Sequence, residues 1–445
     1  MKENTMHSLL KTTNEEPVQL RAVTGIAKEN DNALDRRCRR RLRSMHINSF
    51  DWDQGGLQSP VKFIDRDSVE YALVQAGDND HSETGMARLT LDRALALLDP
   101  VWGGVYQYST GGRWDNPHHQ KTMANQAGHL RLYALAHARL QQDRYLAVAR
   151  AIRSYIARFL TRDDGAFYAG QSDTVPGMDP RFYFSLNDPE RRRLGMPEVD
   201  KRIRTRENGW AIEALATLYE FGGDYCSLLM ALKAFRRIHL LCRREAANWL
   251  ASDMAESASH LAEQLAMGRA LLQLHRVTFD QTFLEHAGKT LLAINRRFRH
   301  PDSGFITSAV NASRHTPRQI DENISLARFA NLVFHYTGDT RYRMLAEHAF
   351  RYLSIFEVAT SRMEEAGILL LEQELQVPPL TFYIESSELD TFNNPFMDIA
   401  WRHPGWYKRL LFKRGDKDRV TVEVDGLRSC PVYSTERLQD LLNHC

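Results

Sequence analysis

A unit of two helices that recurs along the chain constrains its fold more than any other feature of the sequence. In each unit a helix, a short turn with an Asp and a second helix are followed by a turn that contains Asp and Gly and ends in an apolar residue. The closing turns lie at 53–57, 99–105, 164–167 and 302–305. Asp caps the free N–H groups of the next helix, and Gly adopts the positive φ that ends the previous one. The unit therefore has a physical reason to repeat.

The helices between these turns carry apolar residues at helical spacing, as Leu146, Ile152 and Ile156 do on one face. A single helix pair cannot bury such a face alone, so repeated pairs stack and complete the core together. About five or six pairs fit between His46 and Glu374. We therefore predict a mainly α fold, an α/α toroid of helical hairpins that spans residues 46–375.

The two ends of the chain have different patterns. Residues 1–45 are polar with weak periodicity, so we expect a disordered basic tail whose arginines are Arg36, Arg37, Arg39, Arg40, Arg41 and Arg43. Such a run is usually solvated, with contact to nucleic acid or anionic lipid as the alternative. Short strands at 380–384, 409–412 and 420–424, followed by a short helix at 437–442, predict a small α/β subdomain over residues 376–445.

The composition excludes several classes of function. The formal net charge is +2, which provides no global field to select nucleic acid, a membrane or acidic substrates. The first residues lack the apolar core of a secretory signal, and no run approaches the length of a membrane span. The five cysteines are scattered without a C-x-x-C pair, and phosphate-binding loops are missing from the sequence. We expect a cytoplasmic protein with no metal, no cofactor and no nucleic-acid or membrane partner.

The residues most able to contact a small ligand lie between Asp99 and His137. There a glycine-aromatic turn leads through a histidine-rich loop into a helix on which Lys121, Asn125 and His129 share one polar face. The first turns of the inner helices of a toroid face the mouth of its cavity, where aromatic rings, amides and imidazoles suit a sugar-sized ligand. The predicted ligand-binding residues are Tyr106, Tyr108, Trp114, His119, Lys121, Asn125, Asn208, Glu263 and Asn323.

His118 is the predicted general acid or base, because imidazole titrates near neutral pH without help. Its predicted catalytic partners are the carboxylates of Asp173 and Glu207. The alternative is structural: His118 fixes the loop, and Trp114 and Tyr108 pack in the core.

The same stretch resembles a known family. The matching residues are Gly103–Thr110, Trp114, Pro117–His118, Lys121 and Gln126–Ala127, together with segments 50–63, 200–209 and 420–431 and with Asn323. They resemble the thioredoxin-domain-containing, spermatogenesis-associated-type proteins, in unbroken order over about residues 46–445. The resemblance implies a six-hairpin, glycosidase-like α/α toroid with a region similar to N-acylglucosamine 2-epimerase.

Three departures from that family's pattern bear on function. The family's N-terminal thioredoxin-like domain is not found in this sequence. Gln120 and Asn125 stand where the family has carboxylates, and Glu207 replaces a Trp. Because amides cannot exchange protons as carboxylates do, the resemblance supports the fold more strongly than the chemistry.

Three functions follow as hypotheses. The first is a carbohydrate-type enzyme or binding protein, a sugar isomerase, epimerase or glycoside-hydrolase-like acid/base catalyst that acts on a small molecule in the toroid cavity. The second is a non-catalytic binding or scaffold member of the family. The third is a redox partner of a separate thioredoxin acting through Cys430, which the absence of a cysteine pair argues against.

Overall fold

The computed structural model describes residues 33–76, 81–244, 260–309, 316–388, 392–405 and 407–443. Its helices are α1 (Arg36–Asn48), α2 (Arg66–Gln75), α3 (His81–Ala94), α4 (Met123–Leu140), α5 (Asp143–Phe159), α6 (Pro180–Ser185), α7 (Asp188–Leu194), α8 (Thr205–Gly222), α9 (Tyr225–Arg244), α10 (Leu261–Thr278), α11 (Gln281–Phe298), α12 (Ile320–Thr337), α13 (Thr340–Leu353), α14 (Phe356–Ala359), α15 (Ala366–Gln376), α16 (Pro395–Arg402) and α17 (Thr435–Asn443).

The strands are short outside the C-terminal region. They are β1 (Val61–Lys62), β2 (Tyr108–Thr110), β3 (Pro117–His118), β4 (Lys121–Thr122), β5 (Gly170–Gln171), β6 (Val199–Asp200), β7 (Leu380–Ser386), β8 (Lys408–Arg414), β9 (Arg419–Val424) and β10 (Leu427–Arg428). They form three sheets, with the orders β1-β2-β3, β4-β5-β6 and β10-β9-β7-β8.

Six inner helices form a closed ring. In the order α2, α4, α8, α10, α12 and α15, each packs on the next, and α15 packs back on α2. The outer helices α3, α5, α9, α11 and α13 each pack against the inner helix that precedes them in the chain. The inner helices are buried on most faces, as expected for elements covered on both sides. The predicted α/α toroid is confirmed.

The sixth outer helix corrects the prediction of a disordered tail. Residues 1–32 lie outside the described residues. Arg36–Asn48 form α1, which packs against α15 as its outer helix and completes the sixth helix pair. The arginine run conceals an apolar face, because Cys38, Leu42 and Met45 are buried at helical spacing. Arg39 also pairs with Glu372 of α15 at 2.5 Å.

A side-chain amide attaches three of the four closing turns, those at 99–105, 164–167 and 302–305, to the ring. The Asn208 amide hydrogen-bonds both the N–H and the C=O of Phe167, at 2.8 and 3.0 Å. Asn323 binds Phe305 in the same way, at 2.7 and 3.0 Å, and Gln126 binds Val105. Each amide sits on the first turn of an inner helix and satisfies two buried backbone groups. Asn208 and Asn323 are fully buried in this role, which replaces the ligand contact predicted for them.

The C-terminal subdomain covers one end of the toroid. Strands β7 and β8 are parallel and joined through α16, and β9 pairs antiparallel with β7, as expected for the predicted small α/β unit. Arg402 donates to the carbonyls of Tyr219 and Glu220 at the end of α8. Trp401 donates to the carbonyl of Arg276 on α10. These donors satisfy carbonyls that helix ends leave unpaired.

Candidate functional site

The opposite end of the toroid, where the inner helices begin, holds a large cavity. Its volume is about 1050 Å³, and its wall includes Gln107, Gln120, Asn125, His129, Gln171, Glu207 and Trp210. The wall is built by the sheet β4-β5-β6 and the first turns of α4 and α8. We call this space the mouth cavity. Two smaller cavities, of about 180 and 90 Å³, follow it deeper along the inner helices.

Local hydrogen bonds fix the α4 side of the mouth cavity. The Thr122 hydroxyl caps α4 by accepting from the backbone N–H of Asn125. The Asn125 amide in turn donates to the carbonyl of Gln107 at 2.9 Å, which ties the preceding loop to the helix. One turn further on, His129 Nδ1 lies 2.9 Å from the Asn125 carbonyl. Nδ1 must therefore carry the proton, and Nε2 presents a lone pair.

Three acceptor atoms on this wall lack a donor. Within the described part of the chain, Gln107 Oε1, His129 Nε2 and Glu207 Oε2 are buried and make no hydrogen bond. His129 and Glu207 are each only 5% exposed. Burial lowers the pKa of His129 to about 4, so its ring is neutral at physiological pH. Buried acceptors without donors are costly, and here three of them share one cavity wall.

Equivalent positions on the inner helices carry the acidic groups of the site. The third residue of α4, α8, α10 and α12 is Asn125, Glu207, Glu263 and Glu322, respectively. Glu322 lines the cavity of about 180 Å³, and burial raises its pKa to about 7. Burial also raises the pKa of Glu263. A carboxyl group with a pKa near neutrality can both donate and accept a proton at physiological pH.

Below the mouth, six charged side chains cross the axis, one from each inner helix. We call them the ion-pair belt: Glu70, Arg131, Glu213, Arg269, Arg328 and Glu374. Arg131 lies 2.6 Å from Glu70 and 3.5 Å from Glu213. Arg269 pairs with Glu213 at 2.6 Å, and Arg328 pairs with both Glu70 and Glu374 at 2.9 and 2.8 Å. The belt fills the middle of the toroid with paired charges.

The structure brings together only some of the residues predicted for the site. Asn125 and Glu207 lie on the wall of the mouth cavity. His118 Nε2 and Asp173 Oδ2 approach to 3.7 Å, and the His118 ring stacks on Tyr108. This pair lies on the surface beside the mouth, with the His118 side chain 39% exposed. Glu207 is thus separated from the two residues with which it was grouped, and Glu263 is half-buried at the start of α10.

The other predicted ligand contacts have structural roles, which corrects the prediction. Tyr106, Trp114, His119 and Lys121 are all buried. The Lys121 ammonium binds Asp99 at 2.6 Å, and Asp99 also receives Arg191 at 2.8 Å. His119 stacks on Phe184, and the Trp114 indole N–H donates to the Gln54 carbonyl. These side chains hold the loop together, because the aromatic and cationic groups that suit a ligand also suit a buried ion pair.

Sequence reasoning missed several residues of the mouth. The mouth cavity is also lined by Gln107, Gln171, Trp210 and Arg66. The Trp210 ring lies near two guanidinium groups, 4.9 Å from Arg206 and 5.8 Å from Arg66. The sequence signal that could have identified such residues was their position relative to the first turn of an inner helix, since this position repeats from one inner helix to the next.

Within the described ranges, His, Cys, Asp and Glu side chains form no group of three or more that could hold a metal ion. Among the helices of those ranges, none combines the length and apolar character needed to cross a bilayer.

The fold defines a class, the α/α toroids of helical hairpins. The structure of a D-mannose isomerase matches this one with a TM-score of 0.58 and 11% sequence identity. The match covers 79% of this chain and 99% of the isomerase. A sugar epimerase from a ruminal bacterium has a TM-score of 0.54 and 14% identity, and it covers 72% of this chain and 86% of its own. At these identities the likeness concerns the fold.

At the level of sequence, the chain resembles spermatogenesis-associated protein 20. The mouse protein is 29% identical over 142 residues and the human protein 33% identical over 134 residues, or 30% and 28% of this chain. The matched segments span only 18% and 17% of those relatives. No protein-family model matches the chain. The resemblance inferred from the sequence motifs is confirmed over this part.

Proposed function

We propose that this protein binds a polyhydroxylated, sugar-like small molecule in the mouth cavity and transforms it by acid/base chemistry. The observation that carries the proposal is the group of three acceptors without donors, Gln107 Oε1, His129 Nε2 and Glu207 Oε2, in the described part of one wall. Hydroxyl groups are the donors that such a wall requires. Adjacent ring hydroxyls of a sugar present several donors at once, and the Trp210 ring offers an apolar face.

The chemistry depends on two groups with different protonation. His129 is neutral and presents a lone pair on Nε2, as a general base must. Glu322 lines the adjoining cavity of about 180 Å³, which shares Arg66 and Trp210 with the mouth cavity, and its pKa of about 7 lets it supply a proton near neutral pH. Isomerisation and epimerisation of sugars need one group that removes a proton and one that returns it. The names of the structural neighbours, an isomerase and an epimerase, accord with this chemistry.

A thermal-shift screen against monosaccharides, disaccharides and sugar acids tests the binding step. A ligand at 100 times its Kd adds about 2.7 kcal/mol of stability, and in a chain of 445 residues each kcal/mol raises the Tm by about 1 °C, so a shift of about 3 °C is expected. We expect the shift to vanish in Glu207→Gln, which keeps the shape of the side chain. The shift should persist in the control Glu436→Gln, on the exposed first turn of α17. A screen without any hit would contradict the proposal.

One observation favours a second function, a binding or scaffold protein without turnover. The ion-pair belt pairs its charges with one another across the axis, and its carboxylates are held as ions, since Arg131 and Arg328 keep the pKa of Glu70 at about 2 against the effect of burial. Incubation of a confirmed ligand with the protein, followed by NMR for isomerised or hydrolysed product, separates the two functions. A product that is lost in Glu322→Gln supports the enzyme, and unchanged ligand supports the scaffold.

A further inference from the structure

The mouth cavity has an excess of positive charge on one side. Among the described residues, five cationic side chains line it, Arg66, Lys201, Arg202, Arg204 and Arg206, against three carboxylates, Glu198, Asp200 and Glu207. Three of the five cations lie in the segment that leads into α8, and Arg206 is on the first turn of that helix. The surplus is local, because the whole chain carries a formal net charge of only +2. A concave wall with a surplus of one sign favours ligands of the opposite sign.

The start of α8 reinforces this charge. The N-cap residue of α8 is Arg204, whose side chain makes no capping hydrogen bond in the described structure. The N-terminus of this 18-residue helix carries a partial positive charge, and its first backbone N–H groups can donate hydrogen bonds to an anion. The same helix turn also carries the unpaired oxygen of Glu207 on the wall of the cavity. A cationic group and an acceptor for hydroxyls are therefore a few residues apart.

The arginines are held in place by carboxylates that they share. Arg202 pairs with Asp200, and Arg204 lies 3.9 Å from Asp200 and 3.6 Å from Glu207. Arg206 reaches the same Glu207 oxygen at 2.9 Å. Three guanidinium groups thus share two carboxylates, and each guanidinium has five N–H donors. Such an arrangement orients the cations and leaves the segment with a net positive charge.

We propose that the ligand of the mouth cavity is a sugar derivative with an anionic group, a phosphate or a carboxylate, bound by Arg202 and Arg204 at the start of α8. Its hydroxyls are then placed on Gln107, His129 and Glu207. This inference rests on the proposed function and specifies its class of ligand. Guanidinium groups bind both phosphates and carboxylates in a planar, two-point manner, so the two anions share one chemistry.

Isothermal titration with matched ligands tests the inference. The probes are glucose, glucose 6-phosphate, glucuronate and inorganic phosphate, followed by the same series built on mannose and on N-acetylglucosamine. We expect a charged member to bind at least about tenfold tighter than its neutral parent, and the difference to shrink as the salt concentration rises. Comparison of the affinities for the sugar phosphates and for the uronates shows which anionic group the site binds.

The variants Arg204→Gln and Arg202→Gln should each bring the ratio of the charged ligand's affinity to that of its neutral parent close to one. Arg341→Gln is the matched control, because Arg341 pairs with Asp339 two residues away, as Arg202 does with Asp200, but on the first turn of α13. Circular dichroism and an unchanged Tm verify that each variant is folded.

Each other outcome overturns a separate statement. Neutral and charged sugars that bind equally would overturn this inference and leave the proposed function intact. Inorganic phosphate that binds as tightly as every sugar phosphate would also overturn it, since the sugar would then make no contact. Failure of all the sugars, charged and neutral, would overturn the proposed function itself.

Discussion

At the C-terminal end of the toroid the subdomain donates hydrogen bonds to the inner helices, whereas at the N-terminal end the helices begin around a large cavity. Arg402 and Trp401 cap the ends of α8 and α10, and Lys408 is completely buried 3.2 Å from Glu220. The mouth cavity instead has acceptors that lack donors within the described residues, such as His129 Nε2 and Glu207 Oε2. The ends of α8 and α10 therefore have capped carbonyls, whereas the first two turns of α4 and α8 carry acceptors without donors in the described structure.

This difference separates the parts of the molecule that stabilise the fold from those available for function. A protein is expected to satisfy its buried polar groups wherever stability alone is selected, and to break that rule at functional sites. The ion-pair belt lies between the two ends and belongs with the first kind, because each of its charges has an opposite charge within 3.5 Å. The three predictions below test the division, from the largest effect to the smallest.

The largest effect on stability is expected at the end of the toroid that the C-terminal subdomain covers. Glu220 is completely buried, and its carboxylate lies 3.2 Å from both Arg276 and Lys408. Glu220→Ala leaves these two cations buried without their counter-charge, so the free energy of unfolding should fall by about 3–5 kcal/mol. Urea denaturation measures the change. Ligand binding at the mouth should be unaffected in the folded fraction, and a loss below about 1 kcal/mol would contradict the assigned role of Glu220.

The second prediction is that Glu70 of the belt and Glu322, on the first turn of α12, respond to pH in opposite directions. Burial alone would raise the pKa of Glu70, but Arg131 and Arg328 lower it to about 2 from a usual value of 4.5. Its contribution to stability is therefore present above about pH 4.5 and is lost as the pH falls toward 2. Glu322 is the reverse case, because burial raises its pKa to about 7. Its favourable contribution is present below about pH 4.5 and is lost as the pH rises through 7.

Two conservative variants measure this contrast. Above pH 7, Glu322→Gln should increase the free energy of unfolding by about 1–3 kcal/mol, since it removes a charge that burial disfavours. At the same pH, Glu70→Gln should lower it by a similar amount, and its deficit should shrink between pH 4 and pH 2. Unfolding curves recorded at pH 3, 5 and 8 for both variants decide the matter. Parallel pH profiles for the two variants would show that Glu70 and Glu322 do not differ electrostatically.

The ring of hairpins could be predicted from the sequence because its signals are local. Asp caps, Gly turns and apolar spacing act within one or two helical turns, and Asp280 and Asp339 do cap α11 and α13. The sixth helix pair was harder to foresee, because it joins α1 to α15, more than 300 positions apart in the sequence, as in the contact of Arg39 with Glu372. Six arginines in α1 also masked the apolar face that makes this contact.

The residues of the site were less predictable, for a physical reason. Lys121 and Trp114 have the chemical character of ligand-binding groups, but the same character makes them suitable for a buried ion pair and for a hydrogen bond to a backbone carbonyl. Chemical type alone does not tell which way a loop side chain points. Position in the repeat was more informative, since the third residue of successive inner helices identifies Asn125, Glu207 and Glu322.

The smallest effect is expected beside the mouth, at His118. Its side chain is 39% exposed and 3.7 Å from Asp173, so His118→Ala should change the free energy of unfolding by less than about 1 kcal/mol. Because His118 lies outside the wall of the mouth cavity as described, the same variant should also leave the binding of a sugar-like ligand unchanged, in contrast to Glu207→Gln. Calorimetric titration of both variants with one ligand makes the comparison. Binding or turnover that is lost in His118→Ala, with an unaltered unfolding curve, would extend the site from the cavity to the pair His118–Asp173 and restore the predicted catalytic role of His118.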